Sequence, residues 1–485
     1  MTTTTDLEGT HFSGTLIGGT WIPPEKGHAQ PVHDPADGSV ISEIADASVE
    51  DCLAAVESAS STLPAWSAAT PRERAGVLRR AFDLMHAERD VIARLIVREN
   101  GKLLADALGE VDYAAEFFQW FAEEAVRVGG DFRLAPNADK RIIVTSQPIG
   151  VAVLITPWNF PAAMATRKIG PALAAGCTVV LKPAGETPLT AAYLADLLSR
   201  AGAPDGVVNV VTPSDPGPAV SAMLHHPAVR KLSFTGSTEV GRILLHEAAD
   251  QVISCSMELG GNAPFLVMAD ADVADAVDGA MVAKMRNGGA ACTAANRFYV
   301  HRSVAEEFTR LLTGRMQELV AGPGDDPDSG VGAMVSDAER DKIAELVELA
   351  VEEGAEVLTG GLRHVGAGAF YPSTVLTGVS HGDTITRREI FGPVVAITVF
   401  DTDDEAVDWA NDTDMGLIAY VYSADLARAV RIADRLESGM VAINRGVASE
   451  PAAPFGGMKQ SGLGREGGHV GIAEFLETKY LAVPV

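Results

Sequence analysis

The stretch VAVLITPWNFPAAMATRKIGPALAAGCTVVLK, residues 151–182, contains two short apolar runs separated by a helical pattern. The apolar runs at 151–155 and 178–181 are typical of buried strands, and residues 161–175 have the composition of a helix. The same rhythm continues to residue 257, with about thirty residues in each strand–helix–strand unit. This alternation predicts an α/β fold with a parallel, doubly wound sheet, and such sheets bind ligands at the carboxyl ends of their strands.

The alternation extends over most of the chain. Further strands are predicted at 207–211, 231–234 and 252–256, and further helices near 188–201, 216–225 and 239–249. A second α/β block follows, with strands predicted at 263–267, 298–301, 394–400, 418–422 and 440–443. Residues 71–100 have the apolar spacing of amphipathic helices. Residues 132–147 have a hairpin pattern that, with residues 475–485, predicts a small sheet projecting from the body.

Composition limits the possible partners. The 485 residues are too many for one hydrophobic core, so at least two domains are expected. The formal charge is 38 − 65 = −27, which disfavours nucleic acid and anionic membrane surfaces as partners. An anionic substrate would therefore need a local group of arginines to overcome the repulsive field of the whole chain.

The cysteines and the N-terminus indicate the compartment. Cys52, Cys177, Cys255 and Cys292 show neither a CxxC motif nor a paired spacing, so neither a disulfide framework nor a metal site is expected. Residues 1–13 have the composition of a loose polar tail and lack the features of a secretory signal. No apolar run reaches membrane-spanning length. We therefore expect a cytoplasmic protein.

Cys292 is the candidate nucleophile. It follows the pair Gly288 and Gly289 at the end of a helical pattern that carries Lys284 and Arg286. A cysteine among small residues, backbone N–H groups and cations is placed to be a thiolate. The alternative is a small apolar residue in the core, which is the more common role of a single cysteine.

Two glycine-rich segments match nucleotide-binding motifs only in part. Residues 462–467 (GLGREG) match GxGxxG, but no predicted strand precedes them and too few residues follow for the acidic residue of that motif. Residues 236–241 have P-loop glycine spacing, yet Arg242 and Ile243 replace the Lys-Ser/Thr pair. Residues 234–237 end a predicted strand and begin a helix, so their N–H groups can contact a diphosphate.

Four segments together resemble the aldehyde dehydrogenase superfamily: TPWNFP at 156–161, MELGG at 257–261, the segment around Cys292, and EIFGP at 389–393. The similarity extends from Leu16 to the C-terminus and includes PFGG at 454–457. The resemblance implies two doubly wound α/β domains, a Rossmann-like cofactor domain and a catalytic domain. It also implies a small β flap that joins subunits.

The resemblance further implies where the domains begin and end. Residues 1–131 and 148–257 would form the NAD(P)-binding domain, residues 258–455 the catalytic domain, and residues 132–147 and 456–485 the segments that bridge subunits. A homodimer or homotetramer is expected on the same ground.

The resemblance also assigns the catalytic roles. The thiolate of Cys292 would add to an aldehyde, with the side-chain amide of Asn159 and the N–H of Cys292 as oxyanion donors. Hydride would pass to the nicotinamide, and Glu258 would activate the water that hydrolyses the thioester. By itself, Asn159 is also typical of a helix N-cap before Pro161, and Glu258 of a strand-end surface carboxylate. Relatives that transfer the acyl group to coenzyme A generally lack this glutamate, so Glu258 favours hydrolysis.

The resemblance assigns eight residues to the cofactor: Thr156, Pro157, Trp158, Lys182, Gly185, Ser237, Glu389 and Phe391. Members that prefer NAD commonly have a glutamate three residues after the lysine, where this chain has Gly185. A glycine omits a carboxylate that would repel a 2′-phosphate, and Lys182 can pair with that phosphate. Glu186 is one residue out of register and is expected to point elsewhere, unless the loop brings its side chain back. We therefore predict that NADP is used at least as well as NAD.

The segments around two arginines are most similar to those of succinate-semialdehyde dehydrogenases. In those enzymes two arginines and a serine hold the distal carboxylate of the substrate, and the matching residues here are Arg167, Arg286 and Ser449. Without the resemblance, the same arginines would also fit surface salt bridges on helices. The resemblance implies a small aldehyde as the substrate and no metal.

Departures from the family pattern leave alternatives open. Ala290 replaces the glutamine that most relatives carry two residues before the nucleophile, and Arg445 is bulkier than usual beside the substrate entrance. Arg445 would either add a cation for a dicarboxylic semialdehyde or narrow the tunnel. A broad-specificity enzyme, or one acting on glutarate semialdehyde, is therefore the alternative function. A catalytically silent relative with a binding role is a further hypothesis, which intact Asn159, Glu258 and Cys292 disfavour.

Overall fold

The computed structural model describes residues 14–24, 28–363 and 366–485. The polar tail expected at residues 1–13 lies outside this part of the chain. The strands are β1 (Thr15–Ile17), β2 (Thr20–Ile22), β3 (Ala29–His33), β4 (Val40–Ala45), β5 (Asp131–Leu134), β6 (Lys140–Pro148), β7 (Val151–Ile155), β8 (Thr178–Lys182), β9 (Val208–Val210), β10 (Val229–Thr235), β11 (Ser254–Glu258), β12 (Ala263–Val267), β13 (Ala295–His301), β14 (Glu356–Thr359), β15 (Thr374–Thr377), β16 (Val394–Phe400), β17 (Met415–Gly416), β18 (Ile418–Tyr422), β19 (Met440–Ile443), β20 (Met458–Lys459), β21 (Gly462–Leu463) and β22 (Leu476–Pro484). The helices are α1 (Val49–Ala68), α2 (Pro71–Ala87), α3 (Arg89–Asn100), α4 (Leu104–Ala125), α5 (Pro161–Ala175), α6 (Pro188–Arg200), α7 (Pro216–Leu224), α8 (Thr238–Ala249), α9 (Val273–Met285), α10 (Arg302–Gln317), α11 (Asp337–Glu352), α12 (Thr384–Arg387), α13 (Asp403–Asn411) and α14 (Leu426–Ala433).

The first large sheet has eight strands in the order β2-β1-β9-β8-β7-β10-β11-β21. Its five central strands are parallel, and α5 to α8 connect them one after another. The doubly wound alternation predicted from residue 151 to residue 257 is therefore confirmed. The strand order reverses between β7 and β10, and such a reversal opens a crevice at the carboxyl ends of the strands.

The second large sheet has seven strands in the order β14-β15-β16-β13-β12-β18-β19. Only β14 pairs in the antiparallel sense among them. All five strands predicted in this half of the chain are present, and β14 and β15 extend the sheet beyond them. The prediction of two doubly wound units is confirmed.

The small projecting sheet also has the predicted strands. β5 and β6 form a hairpin, and β22 pairs with β6 along its whole length, from Leu476 opposite Pro148 to Pro484 opposite Lys140. Phe132 and Leu134 on β5 are more than half exposed. A sheet with this much exposed apolar surface is suited to contact with another protein surface.

Helix α5 is buried along its entire length, and its buried residues include Arg167 and Lys168. It packs against α4 and against β7 and β8 of the first sheet. Buried charges destabilise a fold unless they are paired, so this helix requires charged partners from other elements. Within the described ranges, no helix is both long and apolar enough to cross a bilayer.

The second sheet is built around Phe265 on β12, which is fully buried. Its ring lies 5.1 Å from that of Phe298, 5.7 Å from that of Tyr420 and 5.0 Å from that of Tyr422, measured between centroids. Rings at these separations add favourable contacts to the area they bury.

Replacing Phe265 with alanine should lower the free energy of unfolding by about 3–5 kcal/mol, because it removes the centre of this aromatic cluster and leaves a cavity. Val357→Ala on the edge strand β14 is the control, since Val357 is 37% exposed, and its effect should stay below about 1 kcal/mol. Chemical denaturation followed by circular dichroism measures both. Equal losses in the two variants would contradict this account of the core.

Candidate active site

The two large sheets meet at the connection between β11 and β12. A Cβ atom at Gly261 in this connection would collide with the carbonyl oxygen of Cys292, so a side chain here would displace the cysteine loop. The N–H of Gly261 donates to Glu389 Oε1 at 3.1 Å. This close backbone approach brings Cys292 and Glu389 against the end of β11, which carries Glu258.

A cleft of about 1540 Å³ extends along the carboxyl ends of the first sheet and reaches Cys292. The residues predicted to bind the cofactor all line it: Thr156, Pro157, Trp158, Lys182, Gly185, Ser237, Glu389 and Phe391. The indole of Trp158 meets the ring of Phe391 edge to face, with centroids 5.3 Å apart. The structure therefore brings the eight residues together in one elongated cleft that ends at the nucleophile.

The loop after β8 contains Gly185 and Glu186, and the position of Glu186 differs from the expectation. Gly185 is exposed to the cleft, and no atom lies within 4 Å of the position that its Cβ would take. The expectation that Glu186 points elsewhere is wrong, because Glu186 also lines the cleft. Burial lowers the pKa of Lys182, and the nearby carboxylate of Glu186 opposes that shift. Residues 183–187 form a bend rather than a strand, so adjacent side chains need not alternate in direction.

The start of α8 closes the other side of the cleft. Ser237 is the N-cap, and its hydroxyl accepts from the N–H of Val240 at 3.3 Å. The N–H of Gly236 donates to the carbonyl of Glu258 at 3.0 Å and is therefore already used. Ser237 begins α8 as expected, and the contact of this segment with a diphosphate stays a prediction.

The cysteine loop turns sharply before the nucleophile. Asn287, Gly288 and Gly289 have positive φ angles of 57°, 58° and 80°. Cys292 is partly exposed to the cleft. Burial raises the pKa of its thiol to about 12, and the positive charge of Arg167 opposes the shift without reversing it. Desolvation therefore outweighs the nearby cations in setting the pKa of this thiol, and the role of Cys292 as the nucleophile stays a prediction.

Glu258 lies at the end of β11 with 2% of its surface exposed. Neither side-chain oxygen has a hydrogen-bond partner among the described residues. Burial raises the pKa of Glu258 well above its ordinary value, and the negative charge of Glu466 raises it further. The alternative of a strand-end surface carboxylate is therefore wrong. A buried carboxyl group whose pKa is raised by desolvation is typical of a group that exchanges protons during catalysis.

Asn159 follows β7, and its side chain points at the cysteine loop. Its Nδ2 donates to the carbonyl of Ala290 at 3.0 Å. The N-cap of α5 is Phe160, without a side-chain cap, so the alternative role of Asn159 as an N-cap is wrong. In the described chain the N–H of Cys292 donates to no protein acceptor. The Asn159 amide and this free N–H are the donors that the resemblance assigns to the oxyanion.

Glu466 is a site residue that the sequence analysis missed. One of its oxygens lies 2.5 Å from Nε of Arg167, and the other accepts from Nζ of Lys168 at 2.6 Å. Burial raises its pKa, but the two cations more than compensate, so the pKa of Glu466 is below its ordinary value. Glu466 belongs to GLGREG, which was considered only as a nucleotide loop. The acidic residue among the glycines of this motif was the sequence signal that could have identified Glu466.

The two arginines predicted to bind the substrate have different surroundings. Arg167 is fully buried, paired with Glu466, and stacked on the ring of Phe455 at 4.2 Å. Arg286 is half-buried at the end of α9, donates to Thr293 Oγ1 at 3.3 Å, and has no ion pair within the described residues. Neither is a surface arginine in a helix salt bridge, so that alternative is wrong.

The remaining substrate candidates lie around the loop after β19. Ser449 is half-buried there and, in the described part of the chain, hydrogen bonds to neither arginine. Arg445 is exposed, and its charge acts on the buried hydroxyl of Tyr422. Tyr113 of α4 was missed by the sequence analysis: its hydroxyl lies within the fields of Arg167 and Arg286.

Two further titratable groups of opposite charge, Lys284 and Glu389, lie close enough at the cleft to affect each other's pKa. Lys284 of α9 is fully buried and donates to Asn296 Oδ1 at 3.1 Å. Burial lowers the pKa of Lys284 to about 7, and burial raises the pKa of Glu389 to about 7, while their opposite charges moderate both shifts. Lys284 was named in the sequence analysis only as a cation near Cys292; the structure places it beside Glu389.

Comparison with known proteins places this geometry in a family. A model described as the aldehyde dehydrogenase family matches residues 21–481. A succinate-semialdehyde dehydrogenase from Paenarthrobacter nicotinovorans is 50% identical over 444 residues, which are 92% of this chain and 99% of that protein. A glutarate-semialdehyde dehydrogenase from Pseudomonas aeruginosa is 47% identical over 467 residues, 96% of each chain. The crystal structure of an E. coli NADP dependent enzyme has a TM-score of 0.96 at 46% identity and covers 98% of both chains. The chain therefore belongs to the aldehyde dehydrogenase family.

Proposed function

We propose that this protein oxidises succinate semialdehyde to succinate with NADP or NAD and hydrolyses the acyl intermediate. The observation that carries the proposal is the half-buried guanidinium of Arg286, which has no ion pair among the described residues and donates to the residue directly after Cys292. A cation at this position would hold the distal carboxylate of a short oxo acid with its aldehyde at the thiol. The relatives named for succinate semialdehyde support this substrate class.

The catalytic residues would act in sequence. Glu258, once ionised, would take the proton of the Cys292 thiol, because that thiol is protonated at rest. The sulfur would add to the aldehyde carbon, and the Asn159 amide and the Cys292 N–H would donate to the oxyanion. Bound NADP or NAD would supply the hydride acceptor that converts the thiohemiacetal to a thioester. Glu258 would release that proton to solvent and, ionised again, would take a proton from the water that attacks the thioester, so that the acid is released and the Cys292 sulfur leaves as a thiolate.

The two arginines would have unequal roles in this scheme. The charge of Arg167 is largely balanced by Glu466, so we assign the main contact with the substrate carboxylate to Arg286, with Ser449 at the same end of the pocket. Arg167 and Tyr113 would form the wall of the pocket behind Arg286. Glutarate semialdehyde is one methylene longer and would use the same cation; the Pseudomonas aeruginosa relative favours it as the alternative substrate.

The cleft favours NADP as a cofactor. Lys182 offers a positive charge beside the open space at Gly185, where no carboxylate is present. A 2′-phosphate can therefore approach Lys182 without repulsion from this position. The E. coli structure described as NADP dependent supports this preference. Glu186 in the same cleft acts against it, so use of NAD is retained.

We further propose a homodimer or homotetramer, with the sheet of β5, β6 and β22 at the subunit contact. Its exposed apolar residues, Phe132, Leu134 and Tyr480, support this role. Residues 132–147 and 456–485 would then bridge subunits, between an NAD(P)-binding domain (1–131 and 148–257) and a catalytic domain (258–455). All four cysteines are free thiols, which fits a reducing, cytoplasmic compartment.

Arg286→Gln should raise KM for succinate semialdehyde by about 10- to 100-fold, because it removes a charge-assisted contact with the carboxylate. Its kcat/KM for butanal, which has no carboxylate, should change by less than about 3-fold. Arg167→Gln should instead impair both aldehydes, since it leaves the buried Glu466 carboxylate with one cation. Steady-state kinetics on both substrates test this. Equal losses on the two aldehydes in Arg286→Gln would contradict the carboxylate role.

Glu258 should control the pH dependence of kcat. Its raised pKa keeps it protonated at low pH, so hydrolysis is slow there, and kcat should rise as pH increases through that pKa. Glu258→Gln should lower kcat by about 10²- to 10⁴-fold and abolish this rise. In this variant mass spectrometry should find that Cys292 is acylated slowly, since Glu258 also takes the thiol proton, and that the acyl group, once formed, is retained on Cys292. A variant that keeps the wild-type pH profile would exclude Glu258 as the base.

Gly185→Glu should lower kcat/KM for NADP by about 10- to 100-fold, because the new carboxylate would face the 2′-phosphate beside Lys182. Activity with NAD should be retained. Gly185→Ala is the matched control, since the open space accepts a methyl group without adding charge. The ratio of kcat/KM for the two cofactors is the measurement. A shift in Gly185→Ala as large as that in Gly185→Glu would show that shape, not charge, sets the preference.

A further inference from the structure

Three polar residues before and within α4, of which Lys102 and Glu110 are buried and Asp106 is half-buried, contact the backbone of the active-site loops. Asp106 and Glu110 are four residues apart and lie on the same side of α4, and Lys102 lies in the segment before the helix. Lys102 and Glu110 pair at 2.6 Å, with 1% and 0% of their side chains exposed. Nothing in the motifs of the family resemblance points to these residues.

Lys102 acts directly on the residue that carries the oxyanion amide. Its Nζ donates to the carbonyl of Asn159 at 2.8 Å and lies 4.3 Å from the ring centre of Phe160. The same carbonyl accepts from Nδ2 of Asn287 at 2.8 Å. Two donors from separate elements therefore hold the Asn159 peptide, and its side-chain direction follows from that peptide.

Glu110 fixes the helix that begins immediately after Asn159. Its Oε1 accepts from the N–H groups of Ala162 and Ala163, at 2.8 and 3.2 Å. These groups belong to the first turn of α5, which has no side-chain cap of its own. A carboxylate at this position satisfies the free N–H groups and interacts favourably with the helix dipole.

Asp106 fixes the other side of the oxyanion site. Its Oδ2 accepts from the N–H of Asn287 at 3.1 Å. The Asn287 side chain also donates to the carbonyl of Ala290 at 2.9 Å, and that carbonyl accepts from Asn159 as well. Asn287 has the left-handed φ of 57°, a conformation that a non-glycine residue keeps only when its surroundings hold it.

We propose that Lys102, Asp106 and Glu110 are positioning residues that set the relative placement of the Asn159 amide and the Cys292 N–H. Both donors must reach one oxygen, and they come from loops that are far apart in the sequence. The α4 segment contacts both loops and so fixes the separation between them. The proposal depends on the oxyanion role proposed above for Asn159.

A double-mutant cycle tests the proposal. Lys102→Met removes both donations from Nζ and keeps most of the side-chain volume, and it should lower kcat/KM by about 10- to 100-fold. Asn159→Ala should lower it by about 10²- to 10³-fold. In the Asn159→Ala background, Lys102→Met should have less than about a 3-fold effect, because there is no amide left to position. Butanal serves as the substrate, so the test does not depend on succinate semialdehyde.

Glu99 provides a matched control. It is also buried and caps the next helix, accepting from the N–H groups of Leu189 and Thr190 at 2.8 and 2.9 Å. Glu99→Gln should lower Tm as Lys102→Met does but change kcat/KM by less than about 3-fold at saturating cofactor. Glu110→Gln is a second positioning variant, since it keeps an oxygen acceptor while removing the charge, and it should follow Lys102→Met.

The outcomes separate the two proposals. Equal effects of Lys102→Met in both backgrounds, with Asn159→Ala itself strongly impaired, would overturn only the positioning role. An unchanged rate in Asn159→Ala would overturn the oxyanion role and the positioning role together. A loss in Glu99→Gln as large as that in Lys102→Met would assign the effect to stability and would also overturn the positioning role.

Discussion

The buried carboxylate of Glu466, held between Arg167 and Lys168, sets the charge balance of the whole site. Helix α5 is buried along its length, so its two cations require an anion there. Because Glu466 supplies that anion and stays ionised, Arg167 is not free to act as an isolated cation. For the same reason Glu258, which shares this buried region, is driven towards its protonated form.

Burial also affects the pKa of the nucleophile Cys292 more than the nearby charges do. Cys292 has Arg167 in its neighbourhood, yet desolvation raises the pKa of its thiol to about 12. A protonated thiol is a poor nucleophile, so reactivity has to be coupled to a base that accepts its proton. Burial therefore favours the neutral form of both reactive groups. The neutral forms avoid uncompensated charges in a region of low dielectric.

The negative net charge of the chain and the buried cations near the site have different effects. The chain has a net charge of −27, but the cations near the site are buried or half-buried and mostly paired with carboxylates. Arg286 has no ion pair within the described residues, and an anion that reached it would interact at short range, where screening by solvent is weak. The whole-chain charge affects solubility and unspecific association, while short-range contacts with individual cations act only inside the site.

The sequence by itself determined the alternation of strands and helices, the flap hairpin, and the order of the motifs that bring Asn159, Glu258 and Cys292 into one family pattern. These features follow from local periodicity and from short segments, which need no knowledge of distant contacts. Only the tertiary structure decided that Glu466 pairs with Lys168 across 298 residues and that Glu186 faces the cleft. It also decided that burial raises the pKa of both the Cys292 thiol and the Glu258 carboxyl group. Desolvation and long-range pairing depend on what surrounds each group after folding, and no local pattern contains that information.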